Sequence, residues 1–105
     1  MNQYLNNQLK TMIYGDGTTP LGYSVRRALN GAKEWESNLK VELRANGVEF
    51  FSFIVPSDHT EGVIVDTIHD HLVEKLDEDT EEIKINFKHE TDDVLFTSFT
   101  RLIVQ

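Results

Sequence analysis

Four histidines and 18 acidic side chains are the groups in this chain that could bind a metal ion or transfer a proton. Asp66, His69 and Asp70 share one face of a predicted helix and would suit a weak divalent-cation site. His71 cannot hold the same ion as His69, because residues two apart on a helix point about 200° away from each other. The sequence has no cysteine and no HExxH motif. A solvated helix surface explains the group better, so we predict no metal and no cofactor.

A glycine-bearing segment invites comparison with phosphate-binding loops. It reads Gly15-Asp16-Gly17-Thr18-Thr19-Pro20-Leu21-Gly22. Proline stands at the last glycine position of G-x-G-x-x-G, and no Gly-Lys-Ser/Thr follows, so neither phosphate-loop pattern is met. A turn followed by a helix start, with a threonine cap and then proline at the first helical position, accounts for the segment.

The sequence shows no residue pattern typical of nucleophilic or acid–base catalysis. The chain has no G-x-S-x-G motif, and the serine nearest a histidine, Ser57 beside His59, stands where a helix start needs a cap. The carboxylates of residues 77–82 are clustered and expected to be solvated, which does not suit a catalytic acid. We therefore predict a protein that is not an enzyme, with no catalytic residue.

The spacing of apolar residues predicts three helices and two hairpins. Apolar positions recur at helical intervals in the helices, and Asp58 with Glu61 resembles a capping box at the start of the third. An extended conformation over 11–14 is the alternative for the end of the first. The predicted helices span residues 2–14, 20–36 and 59–78.

The clearest local signal is a hairpin turn at Asn46-Gly47, between LKVELRA and VEFFSFIV. Asn-Gly suits a type I′ turn, whose two central residues both need positive φ. A second hairpin follows, IKINFKH and VLFTSFTRLIV around residues 90–93, although a loop one residue longer or shorter would exchange its two faces. The predicted registers pair Ala45–Val48, Leu43–Phe50, Val41–Ser52 and Leu39–Ile54 in the first hairpin, and Lys88–Leu95, Phe87–Phe96, Ile85–Ser98 and Ile83–Thr100 in the second.

Two hairpins joined by a helix predict an α+β fold over a single domain, residues 1–105. The fold is a two-layer sandwich of order α(α)ββαββ, with a four-stranded antiparallel sheet and helices on one face. No apolar run is long enough to span a membrane, and the polar N-terminal stretch lacks the features of a signal peptide. We therefore expect a cytoplasmic protein, of the producing or of a host cell.

Under those registers the sheet face opposite the helices is unusually apolar. An antiparallel sheet normally exposes a polar second face, and large apolar patches are usually covered. The first helix folding across this face, a second copy of the chain or another protein would each cover it. The predicted interface residues on this aromatic sheet face are Phe51, Phe53, Leu95, Phe99 and Ile103.

The net charge of −8 is concentrated in one segment. Residues 58–82 hold ten acidic side chains and one lysine, whereas 1–57 and 83–105 are nearly balanced. Such acidity disfavours direct binding to nucleic acid or anionic lipid and favours a basic partner. We call the eight carboxylates on the outer side of the third helix and just after it the acidic ridge: Asp66, Asp70, Glu74, Asp77, Glu78, Asp79, Glu81 and Glu82.

Two functional hypotheses result. In the first, the acidic ridge docks on the basic, possibly nucleic-acid-binding, surface of another protein, and the chain acts as an inhibitor or regulator, in the manner of a DNA mimic. In the second, the chain is a structural, assembly or chaperone-like homodimeric subunit that uses the aromatic sheet face, and the acidic side chains serve solubility.

Overall fold

The computed structural model of the chain describes residues 3–14 and 20–103. The fold is α+β, with element order α α β β α β β, and its antiparallel sheet has strand order β2-β1-β3-β4. This confirms the predicted fold class. The predicted cap at Thr19 lies outside the described residues. The elements are α1 (Gln3–Tyr14), α2 (Pro20–Glu34), β1 (Leu39–Ala45), β2 (Val48–Val55), α3 (Glu61–Lys75), β3 (Glu82–His89) and β4 (Leu95–Leu102).

All three helices contribute to one core. Helix α2 packs on β4, β3 and β1, and α3 packs on α2. Helix α1 packs against α2 and α3, and its Leu5, Leu9 and Met12 are fully buried. The helical interpretation of residues 11–14 is therefore confirmed. The alternative in which α1 covers the back of the sheet is wrong, because its apolar stripe is buried with the other helices.

Helix α3 is shorter than predicted at both ends. Its N-cap is Thr60, whose Oγ1 accepts a hydrogen bond from the Val63 amide at 3.3 Å, so the predicted capping role of Asp58 is wrong. The helix ends at Lys75, and Leu76 is extended at ψ 132°. The acidic residues from Asp77 onward therefore follow the helix rather than belonging to its last turn.

The first hairpin starts as predicted and then changes register. Asn46 and Gly47 have φ of 51° and 82°, which confirms the positive-φ turn, and the predicted pairing of Ala45 with Val48 is also confirmed. Phe50 is then an extra residue in β2, a β-bulge. Beyond it the predicted pairs are wrong by one residue: Leu43 lies opposite Phe51, Val41 opposite Phe53 and Leu39 opposite Val55.

The second hairpin repeats this pattern. Lys88 lies opposite Leu95 as predicted, and Phe96 is then an extra residue in β4. The remaining predicted pairs are wrong by one residue: Phe87 lies opposite Thr97, Ile85 opposite Phe99 and Ile83 opposite Arg101.

The two bulges overturn the predicted aromatic sheet face. A one-residue register shift moves every later side chain to the other side of its strand. Phe51, Phe53 and Phe99 consequently lie on the helix side, where Phe99 is only 6% exposed. Ile103 is buried as well, whereas Leu95 is 51% exposed. Packing these rings against the helices stabilises the shifted register.

The open face of the sheet is polar, as an ordinary two-layer fold requires. At its centre Glu42 is only 6% exposed. Its carboxylate forms ion pairs with the Nζ of Lys88, at 3.1 Å, and with the Nζ of Lys40, at 3.5 Å. The hydrogen bond to Glu42, together with the nearby Asp93 carboxylate, raises the pKa of Lys88 above its usual value. Around it, Ile54 of β2 and Leu95 and Leu102 of β4 are exposed large apolar side chains.

Candidate functional site

The first half of the acidic ridge lies along α3. Asp66, Asp70 and Glu74 are all exposed, at intervals of four residues. Carboxylates at that interval are about 6 Å apart along a helix axis. The helix turns its apolar residues, Ile64 and Ile68 among them, into the core, so these carboxylates point into solvent.

The second half of the acidic ridge lies on a structured turn after α3. The Asp77 Oδ1 accepts hydrogen bonds from the Asp79 amide at 2.9 Å and from the Thr80 hydroxyl at 3.1 Å. The Thr80 Oγ1 in turn accepts from the Asp77 amide at 3.3 Å, and Thr80 is buried. Asp77 therefore shapes the backbone of this turn as well as carrying charge.

Asn46 holds this turn against the first hairpin. Its Oδ1 accepts from the amides of Glu81 at 2.8 Å and Glu82 at 3.1 Å. Its Nδ2 donates to the Asp79 carbonyl at 2.9 Å, and its backbone N–H donates to the Glu82 carbonyl at 2.9 Å. The sequence predicted Asn46 only as a turn residue, and no local signal shows that it binds a segment some 35 positions away.

Arg26, Arg27 and Lys75 contact groups outside the acidic ridge. The Arg26 Nε lies 3.3 Å from a carboxylate oxygen of Glu61, which is not a member of the acidic ridge. Arg27 lies over the ring of Tyr23, and the Lys75 ammonium lies 5.7 Å from the ring centre of Phe50. The prediction that the acidic ridge is exposed is confirmed for seven of its residues, and Glu82 is half-buried.

Two of the histidines, His71 and His89, make contacts that support the fold. The His71 ring stacks on Phe51 with a centroid distance of 3.7 Å, and its Nδ1 donates to the Thr67 carbonyl at 2.9 Å. His89 accepts the amides of Thr91 and Asp92 on its Nδ1. His59 lies in the turn before α3.

The side chains of residues 3–14 and 20–103 do not form a metal site. Within these ranges no group of three or more histidine and carboxylate side chains is placed to hold a metal ion. Asp66, His69 and Asp70 do not form such a site, although His69 Nδ1 lies 3.6 Å from an Asp70 carboxylate oxygen.

Two clefts lie away from the acidic ridge. One, of about 270 Å³, is lined by Gln8 and Thr11 of α1 and by Arg101 near the end of β4. The other, of about 410 Å³, runs between α2 and the start of β4 and is lined by residues including Trp35 and Phe96. Neither lining combines a nucleophile with a histidine, so neither cleft resembles a hydrolytic site.

No described helix has the length and apolar character needed to cross a membrane. Comparison with protein-family models, with curated proteins and with solved structures finds no match to this chain.

Proposed function

We propose that this protein is a non-enzymatic binding module that docks its acidic ridge on the basic surface of a partner protein and thereby inhibits or regulates that partner. One observation carries the proposal: seven of the eight residues of the acidic ridge are exposed, and Asn46 holds the backbone of its second half. Because the backbone of residues 79–82 is already ordered by Asn46, binding of this segment to a complementary surface does not incur the entropy cost of ordering a loose loop.

The acidic ridge works against the stability of its own element. Carboxylates four residues apart on a helix repel one another by a few tenths of a kcal/mol per pair. Glu74, near the C-terminal end of α3, also opposes the helix dipole, by up to about 1 kcal/mol. A spacing of about 6 Å along the axis would let the carboxylates of α3 occupy a groove that accepts phosphates, as in a DNA mimic.

Two triple variants with the same change in net charge test the proposal. The first neutralises the acidic ridge, with Asp70→Asn, Glu74→Gln and Glu78→Gln. The second, the control, neutralises exposed acids elsewhere, with Glu34→Gln, Glu36→Gln and Glu49→Gln. Proteins retained by the immobilised wild type are identified by mass spectrometry, and one with a basic cleft is purified for affinity measurements with all three chains.

The expected result is a loss of about 2 kcal/mol, or about thirtyfold in Kd, for the acidic-ridge variant at low salt, against less than about twofold for the control. The wild-type affinity should also fall steeply between about 50 and about 200 mM salt, because exposed charges are screened within about 10 Å. An affinity that does not change with salt, or equal losses in both variants, contradicts docking by the acidic ridge.

The homodimeric assembly hypothesis required an open aromatic sheet face. Phe99 is buried, and Phe51 and Phe53 lie on the helix side of the sheet, so these rings do not form an open aromatic face opposite the helices. The geometry therefore favours the acidic ridge as the working surface.

A further inference from the structure

We propose that the partner adds an extended basic segment to the free edge of β2, and that the acidic ridge draws this segment to that edge. This pairing rests on the proposed function and specifies the form in which the partner binds. It combines three observations: an open strand edge, an aromatic surface beside it, and carboxylates on the neighbouring flank of α3.

Strand β2 lies at one end of the sheet, so one side of its backbone has no neighbouring strand in the described structure. Every residue of β2 except Val55 is exposed or half-buried. An edge strand offers a row of N–H and C=O groups that can pair with another chain. The bulge at Phe50 lies near the turn, so the register is regular from Phe51 to Val55.

The aromatic surface beside this edge consists of Phe51, Phe53 and His71. The two phenylalanine rings are 6.0 Å apart, and the His71 ring stacks on Phe51. Both phenylalanines are only partly buried, and Ile54, which alternates with them, is 51% exposed on the other side of the strand. An added strand would place alternate apolar side chains against these positions.

Carboxylates of α3 lie on the same flank. Successive helical residues are rotated by about 100°, so Asp70 and Glu74 are turned from His71 in the direction opposite to buried Ile68 and Leu72. Since His71 stands over β2, both carboxylates lie toward the outer side of that strand. Lys75, the cation near this flank, lies over Phe50, at the turn end of β2.

The edge of β4 is a less suitable site for a basic segment, and a second copy of the chain is a less suitable occupant of the β2 edge. Strand β4 is flanked by two arginines and one carboxylate: the Arg101 guanidinium lies over the Phe99 ring, and Arg27 and Glu34 line the cleft beside Phe96. Pairing β2 with β2 of a second copy would bring the flanks carrying Asp70 and Glu74 together, and like charges repel. A basic extended segment is the occupant whose charge matches the β2 edge.

Hydrogen exchange measured by NMR on the full chain tests this pairing. The probe is a blocked synthetic peptide of about eight residues in which lysine and valine alternate. The control peptide has equal length and charge, but proline replaces two valines, because proline cannot complete a strand ladder. At low salt the alternating peptide should slow exchange of outward-facing β2 amides by about tenfold or more and leave β4 unchanged, since added ladder bonds require opening before exchange.

The outcomes separate this pairing from the proposed function. If both peptides bind equally, lose affinity with Asp70→Asn and Glu74→Gln, and leave β2 exchange unchanged, the acidic ridge docks but the strand pairing is overturned. Protection at β4, or no binding of the alternating peptide, also overturns it. Protection of β2 that grows with protein concentration in the absence of peptide would show that a second copy is the occupant, which overturns it too.

Discussion

Replacing Asn46 tests whether the second half of the acidic ridge is held in place by the first hairpin. Asn46→Gly keeps the positive φ of 51° accessible and removes three side-chain hydrogen bonds. These bonds are exposed, so each should contribute near the low end of the usual range, about 0.5 kcal/mol, and the three together about 1.5 kcal/mol of unfolding free energy. Greater freedom of glycine in the unfolded chain adds up to about 1 kcal/mol.

Urea unfolding followed by circular dichroism measures this loss. With an m-value of about 1.5–2 kcal/mol/M, the midpoint should fall by about 1 M or more. The amides of Glu81 and Glu82 lose their acceptor, so their hydrogen exchange should accelerate more than that of the sheet. Affinity for the basic partner should fall although every carboxylate is retained, because Asn46 no longer holds the backbone of residues 79–82, which carries part of the acidic ridge.

Asn46→Asp is the matched control for the loss of the side-chain acceptor. It keeps an oxygen for the Glu81 and Glu82 amides, and it replaces the donor to Asp79 by a second oxygen that would face the Asp79 carbonyl. Aspartate tolerates the same backbone conformation. Unfolding at about 1 M salt, where the Debye length is about 3 Å, removes most of the added repulsion. A glycine variant within about 0.5 kcal/mol of the wild type, or equal losses in both variants, would refute the role assigned to Asn46.

Two further predictions concern the core and the open sheet face. In Gly31→Ala the new Cβ would lie 2.9 Å from Phe96 Cδ1. Urea unfolding should therefore show a net loss of about 1 kcal/mol in unfolding free energy, although alanine has the better helix propensity. This loss should vanish when the same change is made in the Phe96→Leu variant. Because the pKa of Lys88 is raised by its hydrogen bond to Glu42 and by Asp93, this contribution to stability is complete below the ordinary lysine pKa and disappears as pH rises through the folded-state value. The stability difference between wild type and Glu42→Gln should therefore be constant from pH about 7 to about 9.5 and shrink above about 10.5; a difference that grows above that pH contradicts the assignment.

Local patterns predicted the order of the elements because each depends on nearby residues. The spacing of apolar residues was enough to predict the helices, and the dipeptide Asn46-Gly47 was enough to predict the first hairpin turn. The structure has these helices and positive φ at both turn residues. The exposure of Asp66, Asp70 and Glu74 was predictable for the same reason, since a helix with one apolar stripe leaves its other side in water.

The strand registers depended on contacts distant in sequence. The turn sets the first pairs, but the extra residue at Phe96 is accommodated where its ring meets Gly31 of α2, and Phe51 stacks on His71 of α3. An alternating pattern of large apolar and polar residues cannot show which side of a strand will meet a helix once a bulge is allowed. The contact of Asn46 with residues 79–82 was hidden for the same reason, because its turn role already explained its presence.

The bulge in β2 joins the two surfaces on which the proposed binding mode depends. With a regular ladder, Phe51 and Phe53 would lie on the sheet face opposite α3, with the sheet between them and Asp70 and Glu74. The extra residue at Phe50 turns both rings toward α3. The free edge of β2 is thereby bordered by an aromatic surface and a row of carboxylates on the same side. The edge of β2 therefore offers both an apolar surface for the side chains of an added strand and negative charge for its basic residues. Strand β4 also has a bulge, but an arginine lies beside it, so its edge does not combine the two properties.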